Sequence, residues 1–327
     1  RVGGSVETGQ VIFSGQRALH VIVLSECKKS VRYERRGHAV RPDIQQCSES
    51  VHMKLSITTL GCPNWSLNEI IARCSAYGLD GIDFRGIRDV LDVTQLSDFT
   101  TEVGLTRRKI EDAGLCVSGI SSSIRVCVPE KLEENLDEAR RTIAAASALD
   151  CQQVRVFGGG DSGMHSKKSL ADIGCNTVEH ILKLDGARQV RWVFETHDEW
   201  IRAADCALLL DRIGDPAFGV LWDMGHTARV GGETPAQSYA AVGPRTFYTH
   251  VKDAVHDVNH SQAMEDGWRY VAPGTGQLPL SDAIALLKEN GYDGWIMFEH
   301  EKRWHPELEE PEIIFPQFVG WAQPLIG

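Results

Sequence analysis

Four segments in the second half of the chain share one pattern: VRWVFETH at 190–197, FGVLWDMGH at 218–226, TFYTHVKD at 246–253 and GWIMFEHE at 294–301. Each segment is a short apolar run, rich in Val, Phe, Trp, Tyr or Ile, that ends on a polar side chain. Apolar runs of this length are typical of parallel strands that are buried on both faces. In a (β/α)8 barrel, chemistry is done at the carboxyl ends of such strands. The pattern therefore predicts a barrel with a polar site at one face.

The polar residues at the four strand ends are Glu195, Asp223, His250 and Glu299. Three carboxylates and one imidazole suit Mn²⁺, Mg²⁺, Zn²⁺ or Fe²⁺ better than a metal that prefers thiolates. Any one of these acids, taken singly, is more often a helix N-cap or a solvated loop residue. Their spacings of 28, 27 and 49 residues favour a joint function, because the first two are those of consecutive βα units. The sequence therefore predicts a mononuclear site for a divalent metal.

Strand-like and helix-like segments alternate from Met53 onward, which is the pattern of a parallel sheet with crossover helices. Four further strands are predicted before the segments above, at 55–60, 81–84, 115–120 and 154–157. The predicted fold is an α/β (β/α)8 TIM barrel over residues 53–327, with an irregular N-terminal extension. A doubly wound Rossmann-type sheet is the alternative, with Gly158–Gly160 as a phosphate-binding turn. That alternative is weaker, because no GxGxxG follows the first strand.

The composition restricts the partners of the chain. It has 327 residues, and its formal net charge of −11 is unfavourable for binding nucleic acid or an anionic membrane. No apolar run approaches the roughly 20 residues that span a bilayer. The nine cysteines form no CxxC pair, and this indicates a reducing, cytoplasmic location. A small molecule is the expected partner.

Residues 1–52 differ from the rest of the chain. They hold eight Lys and Arg against five Asp and Glu, and Met53 is the first methionine. We interpret this stretch as a leader, an upstream translation or an artefact of expression, outside the fold. A secretory signal is the alternative, but the apolar core at 21–24 is very short.

The sequences FETH, WDMGH, THVKD and FEHE resemble the sugar phosphate isomerase/epimerase family. These xylose isomerase-like TIM barrels also include ketose 3-epimerases, inosose dehydratases and endonuclease IV. The resemblance is specific at the four strand ends and at the spaced pair Asp223 and His226. It implies that Glu195, Asp223, His250 and Glu299 bind one divalent cation, with Mn²⁺ preferred over Mg²⁺, Zn²⁺ or Co²⁺. It also implies that Glu195 and Glu299 act as the catalytic acid and base.

Other polar residues near these strand ends are candidates for binding substrate. The resemblance implies that His226 faces the oxygens of the substrate. His197 follows Glu195 by two residues and could contact substrate or pack against a neighbouring strand. Lys252 could bind an oxyanion or pair with Asp253.

Two arginines and one long loop complete the candidates. Arg85 and Arg155 lie near strand ends, where each could bind a phosphate or carboxylate through two hydrogen bonds or support the barrel. The stretch 254–277 is long for a βα loop, and we expect a lid over the site.

The chain departs from two branches of the family. The resemblance implies, for a ketose 3-epimerase, a Glu six residues after the first ligand and an Arg six after the His ligand, where this chain has Ile201 and His256. For endonuclease IV it implies extra histidines after strands two and three, where this chain has 83–85 (DFR) and 119–121 (GIS). Free-ketose 3-epimerisation and DNA repair are therefore disfavoured.

The predicted function is a metal-dependent isomerase or epimerase that acts on a sugar or sugar derivative through an enediolate. A lyase on the same metal site is the alternative, as an inosose-type dehydratase or an enzyme that cleaves 3-oxo-glycosides. A homo-oligomer is compatible with either, and a small partner subunit with the lyase. A non-catalytic barrel is a third interpretation, which leaves the ligand set unexplained.

Overall fold

The computed structural model describes residues 52–327. The extension predicted at 1–52 lies outside these residues, apart from its last one. The strands, in chain order, are β1 (Lys54–Thr58), β2 (Gly81–Phe84), β3 (Cys116–Arg125), β4 (Gln153–Phe157), β5 (Arg191–Glu195), β6 (Phe218–Asp223), β7 (Thr246–Val251), β8 (Asp253–His256), β9 (Trp268–Val271) and β10 (Trp295–Phe298). All of them except β8 and β9 form a closed parallel barrel, in the order β1-β10-β7-β6-β5-β4-β3-β2. The predicted TIM barrel is confirmed.

Helices alternate with the barrel strands, as the sequence predicts. They are α1 (Leu67–Ala76), α2 (Val103–Asp112), α3 (Leu132–Ala148), α4 (Lys167–Ile181), α5 (Ala203–Leu210), α6 (Met224–Arg229), α7 (Pro235–Val242), α8 (Leu280–Glu289) and α9 (Pro311–Ile326). Local signals explain the starts of some of them. Helix α1 begins with a capping box, in which Ser66 and Glu69 satisfy each other's backbone N–H groups. No helix among the described residues is long and apolar enough to cross a membrane.

Strand β3 is longer than predicted, because it runs to Arg125 rather than to residue 120. Its extra residues are polar, and polar residues usually mark the end of a buried strand. Here they bond inside the protein instead. The Ser121 hydroxyl donates to Asp83, and the Ser122 hydroxyl donates to the carbonyl of Arg155. The strand therefore continues through a polar run.

The inside of the barrel is layered beneath the strand ends. An apolar cluster fills the lower part, and its buried members are Val193, Leu221, Tyr248, Trp295 and Met297. Above it, the Tyr248 hydroxyl lies 2.9 Å from the Ser118 hydroxyl and donates to Asp83 at 3.3 Å. The polar strand ends lie above this layer.

Strands β8 and β9 form an antiparallel hairpin in the loop where we expect a lid. The carboxylate of Asp253 holds its base, because it accepts backbone N–H groups from Ala254, Gly274, Gly276 and Leu278. The Tyr270 ring of β9 lies over Lys252, with its centroid 6.0 Å from the ammonium nitrogen. The hairpin therefore adjoins the polar end of the barrel.

The cysteines in the described part of the chain are free thiols: Cys62, Cys74, Cys116, Cys127, Cys151, Cys175 and Cys206. Most of them are buried in the apolar core. Burial raises the pKa of Cys74 and of Cys127 to about 12. These thiols act as small apolar side chains at neutral pH.

Candidate metal and substrate site

The structure brings the four strand-end residues together. Strands β5, β6, β7 and β10 are consecutive neighbours in the barrel, and each has one of the four residues at its carboxyl end. Glu195 and Asp223 are fully buried, His250 is 1% exposed and Glu299 is 8% exposed. One ligand atom from each of the four lies within 4.8 Å of the others.

Two of the carboxylates divide their oxygens between the protein and the centre of the site. Glu195 accepts a hydrogen bond from Arg155 Nη1 at 2.8 Å through Oε2, and its Oε1 lies 3.4 Å from His250 Nδ1. Asp223 accepts the backbone N–H of His226 at 2.8 Å through Oδ1, and its Oδ2 lies 3.9 Å from His250 Nδ1. Asp223 is therefore both the N-cap of α6 and a contributor to the site.

The atoms that face the centre lack hydrogen-bond partners among the described residues. They are Glu195 Oε1, Asp223 Oδ2, both ring nitrogens of His250, and Glu299 Oε2. Buried polar atoms are nearly always paired, so such a concentration indicates a missing partner. The distance from His250 Nδ1 to Glu299 Oε2 is 3.3 Å. Ligands about 2.1 Å from one cation lie roughly 3.0–3.5 Å apart, so the donor set fits a divalent metal.

Positive charge is already attracted to this cluster. Lys252 Nζ lies 3.0 Å from Asp223 Oδ2 and 2.6 Å from Glu301 Oε1, and it also contacts Glu299 Oε2. It approaches Asp223 and Glu299 as an ion pair, without the direction of a hydrogen bond. Burial opposes the charged ammonium, but Asp223 and Glu299 hold the pKa of Lys252 well above its usual value. The carboxylates therefore keep one buried cation beside them.

The charges at the centre also set the protonation of the possible ligands. Burial disfavours the charged imidazole, yet Glu299 and Glu195 raise the pKa of His250 to about 10. Burial and the charge of Glu299 oppose ionisation of Glu195, but Arg155 and His250 lower its pKa below the ordinary value. A histidine must lose its proton to bind a metal. In the metal-free protein, His250 therefore carries a proton that a bound metal ion would displace.

His226 is neutral and fully engaged with the protein. Burial, and then the charge of Lys252, lower the pKa of His226 to about 3. Its Nδ1 lies 3.2 Å from the carbonyl oxygen of Thr196, and its Nε2 lies 3.2 Å from Lys252 Nζ. These partners assign the ring proton to Nδ1 and leave Nε2 as the acceptor. His226 therefore orients Lys252.

His197 lies at the edge of the site, where it is half-buried. Its ring packs edge-on against the ring of His226, with centroids 4.8 Å apart, and lies equally close to Phe157. Its Nδ1 is 2.7 Å from Asp198 Oδ1. Burial opposes the charged ring, but the bond to Asp198 raises the pKa of His197.

One alternative from the sequence is wrong. Lys252, which joins β7 to β8, does not pair with Asp253, because its ammonium contacts Asp223, Glu299 and Glu301 instead. Lys252 shares the inward face with His250, while Asp253 points to the base of the hairpin. Arg155, in contrast, lies at the site and is committed to Glu195.

Sequence reasoning missed two residues that shape the site. Glu301 binds Lys252 and lies two residues after Glu299, so the alternation of β10 could have indicated it. Asp83 lies in the polar layer below and is fully buried. Burial raises the pKa of Asp83. A Cβ on Gly119 would lie 2.2 Å from Asp83 Oδ2, so only glycine fits there.

Among curated proteins, the chain is similar to an inosose dehydratase from Geobacillus kaustophilus. The two are 27% identical over 157 residues, which cover 46% of this chain and 48% of that protein. An inosose dehydratase from Clostridium botulinum (strain Eklund 17B / Type B) is 28% identical over 100 residues, covering 28% of this chain and 33% of that protein. The chain therefore matches about half or less of the length of these relatives.

Solved structures share the fold at low identity. A probable 3-DHS dehydratase from Bacillus anthracis superposes with a TM-score of 0.67 at 18% identity, over 83% of this chain and 99% of that one. D-psicose 3-epimerase superposes with a TM-score of 0.65 at 15% identity, over 84% of this chain and 100% of that one. A family model described as xylose isomerase-like TIM barrel matches residues 71–315. The chain belongs to the family of xylose isomerase-like TIM barrels.

Proposed function

We propose that Glu195, Asp223, His250 and Glu299 hold one divalent cation, with Mn²⁺ preferred, and that the protein uses it to enolise a sugar or a sugar-derived ketone. The observation that carries this proposal is the set of buried, unpartnered donor atoms that face one another at four adjacent strand ends. Lys252 forms ion pairs with two of these atoms, but burying the whole set without further partners would be costly. A bound cation removes that cost.

The chemistry is proton removal from the carbon next to a carbonyl group. A divalent cation, when bound, supplies polarisation of the carbonyl and stabilises the negative charge that develops on its oxygen. Glu195 and Glu299 are the candidate acid and base, because they lie at the ends of β5 and β10, the outer two of the four strands. Both are held in the charged form, which is the form that accepts the proton. For Glu299, burial opposes ionisation, but Lys252 keeps the pKa well below its ordinary value.

Return of the proton decides the product. If the proton returns to the other face of the same carbon, the enzyme is an epimerase; if it returns to the neighbouring carbon, the enzyme is an isomerase. Two carboxylates from the outer strands β5 and β10 support epimerisation or isomerisation as the first candidate. His197 at the rim would then orient the substrate directly, and His226 would do so through Lys252, which its Nε2 contacts.

A lyase is the second candidate, and Lys252 is the observation that favours it. Its ammonium is buried against Glu299 and Glu301, where it could protonate a hydroxyl that leaves the β-carbon. The similarity to inosose dehydratases supports the same outcome.

Incubation of the metal-loaded protein with keto-sugars and keto-polyols in D₂O tests the proposal. We expect solvent deuterium in the recovered compounds if the enzyme is an isomerase or epimerase, and loss of water or of an aglycone if it is a lyase. Glu195→Gln and Glu299→Gln should each lower the rate by about 10²–10⁴-fold, since glutamine cannot accept the proton. Exchange at the parent rate in either variant would rule out two-carboxylate catalysis.

A further inference from the structure

Arg85 lies at the mouth of the barrel, one residue past the end of β2. Side chains alternate along a strand, so Arg85 shares the inward face with Asp83, which accepts the Ser121 hydroxyl at 2.9 Å. Phe84 points outward between them, with its ring centroid 4.9 Å from that of Phe99. Arg85 is only 8% exposed. Its guanidinium is therefore buried on the side of the metal and substrate site.

No acidic partner is available to this guanidinium among residues 52–327. Its Nη1 is buried without a hydrogen-bond partner, and no carboxylate lies within ion-pair distance. The nearby acids are committed elsewhere. Asp83 accepts from Ser121, and Glu138 accepts the backbone N–H of Ser123 at 2.6 Å. Arg85 therefore keeps unused donors.

A second buried arginine affects Arg85. Arg155 is also buried, and Glu195 neutralises it through a bond of 2.8 Å. Burial, and then the charge of Arg155, lower the pKa of Arg85 to about 10, so Arg85 is still charged at neutral pH. A buried charge without a partner is strongly unfavourable in a folded protein. Among residues 52–327, no anion at the mouth of the barrel therefore neutralises Arg85.

We propose that Arg85 binds an oxyanion of the substrate, a carboxylate or a phosphate, and that the protein acts on an acidic sugar derivative rather than a neutral sugar. This inference rests on the proposed function of the neighbouring site. The planar guanidinium can donate two parallel hydrogen bonds to either oxyanion. Such contacts would also fix the register of the carbonyl group relative to Glu195 and Glu299.

Binding of two anions to the metal-free protein tests this directly, since the anion then has no metal ion to bind. Calorimetry with inorganic phosphate and, separately, with malonate shows which oxyanion the site takes. Arg85→Gln should weaken binding at least about tenfold, as expected for the loss of a charged hydrogen bond. Arg88→Gln is the matched control, because it removes the same charge from an exposed position three residues away. Equal binding by the parent and Arg85→Gln, or no binding of either anion to the parent, would overturn the inference.

Thermal unfolding separates a ligand-binding arginine from a structural one. Without ligand, Arg85→Gln should melt no lower than the parent, because the substitution removes a buried unpaired charge. A structural arginine would instead lower the melting temperature and leave anion affinity unchanged. Arg85→Lys keeps the charge but loses the planar fork, so it should fold and bind the anion more weakly than the parent. Anion binding by Arg85→Lys at the parent affinity would contradict the inference.

Matched substrates distinguish a failure of this inference from a failure of the proposed function. Deuterium exchange is compared between a neutral keto-sugar and its counterparts that carry a terminal carboxylate or phosphate. We expect kcat/KM to favour an acidic counterpart at least about tenfold, with the preference lost in Arg85→Gln. Equal exchange into neutral and acidic compounds would overturn the inference and leave the proposed function intact. If anion binding depends on Arg85 but no ketone exchanges deuterium, the proposed function is overturned and the inference about Arg85 stands.

Discussion

The carboxylate of Asp253 should determine whether the hairpin of β8 and β9 stays in place beside the site. It accepts four backbone N–H groups: Ala254 and Leu278 at 2.9 and 3.3 Å on Oδ1, and Gly274 and Gly276 at 2.9 Å each on Oδ2. In Asp253→Asn one of the two oxygens becomes an NH₂ group, which cannot accept. Two of the four donors are then left without a partner.

The cost follows from these two donors. An unsatisfied buried donor costs about 1–3 kcal/mol, so two cost about 2–6 kcal/mol. The loop at 274–278 is partly exposed to water, so we expect a total cost of about 2–4 kcal/mol for the two donors. If this free energy opens the hairpin alone, the open population should rise by about 30- to 900-fold. If it acts on the whole barrel, the melting temperature should fall by roughly 3–7 °C.

Trypsin is a suited probe, because Arg269 is the only Lys or Arg between Asp253 and Lys288. Cleavage after Arg269 should accelerate in proportion to the open population when opening is fast relative to cleavage. Asp257→Asn is the matched control in the same hairpin, since Asp257 accepts one backbone N–H from its own turn. If Asp253→Asn is cleaved and melts like Asp257→Asn, the carboxylate does not hold the hairpin and this reasoning is wrong.

Three further predictions concern the barrel itself. Arg155→Met should destabilise the metal-free protein by about 3–5 kcal/mol, because Glu195 loses its buried partner. Added Mn²⁺ should restore part of this loss, and calorimetric melting with and without metal measures both effects. Gly320→Ala should raise the free energy of unfolding by about 0.5–1 kcal/mol, because a Cβ there meets open space on α9; urea unfolding that shows destabilisation would contradict this. A chain that begins at Met53 should fold and bind metal like the full chain, because the barrel begins at Lys54; an insoluble or metal-free product would refute the proposed boundary.

The barrel strands were predictable because their burial leaves a direct mark in the sequence. The segments that contain Glu195, Asp223 and His250 are continuous apolar runs, and their polar ends mark one face of the sheet. Such a pattern depends on local residues alone. The order of strands in the barrel follows from simple βα repetition.

Other features depend on tertiary contacts and left no comparable mark. The sequence of β8 and β9 has no strong period, and the hairpin is held at its base by Asp253. Helix α9 was not predicted, because Pro316 and Pro324 lack the N–H that a helix interior uses. Its apolar residues pack on the barrel nonetheless, among them Phe315 and Phe318, which are fully buried.

The site shows the same limit. Strand-end position indicated which residues could meet, but not how each carboxylate would divide its oxygens. That division depends on Arg155 and on the first turn of α6, which approach from neighbouring elements. Lys252 was a candidate for substrate, and its three acidic contacts became visible only in the folded barrel.

Metal stoichiometry tests the central claim most directly. The purified protein is loaded with Mn²⁺, freed of unbound metal and analysed by atomic spectroscopy. The account predicts one ion per chain in the parent and clear loss of bound metal in Asp223→Ala and in His250→Ala. Asp282→Ala and His180→Ala, which remove the same side chains from an exposed and a half-buried helix position outside the cluster, should keep the full amount. Full stoichiometry in both Asp223→Ala and His250→Ala would show that the metal site has been placed wrongly.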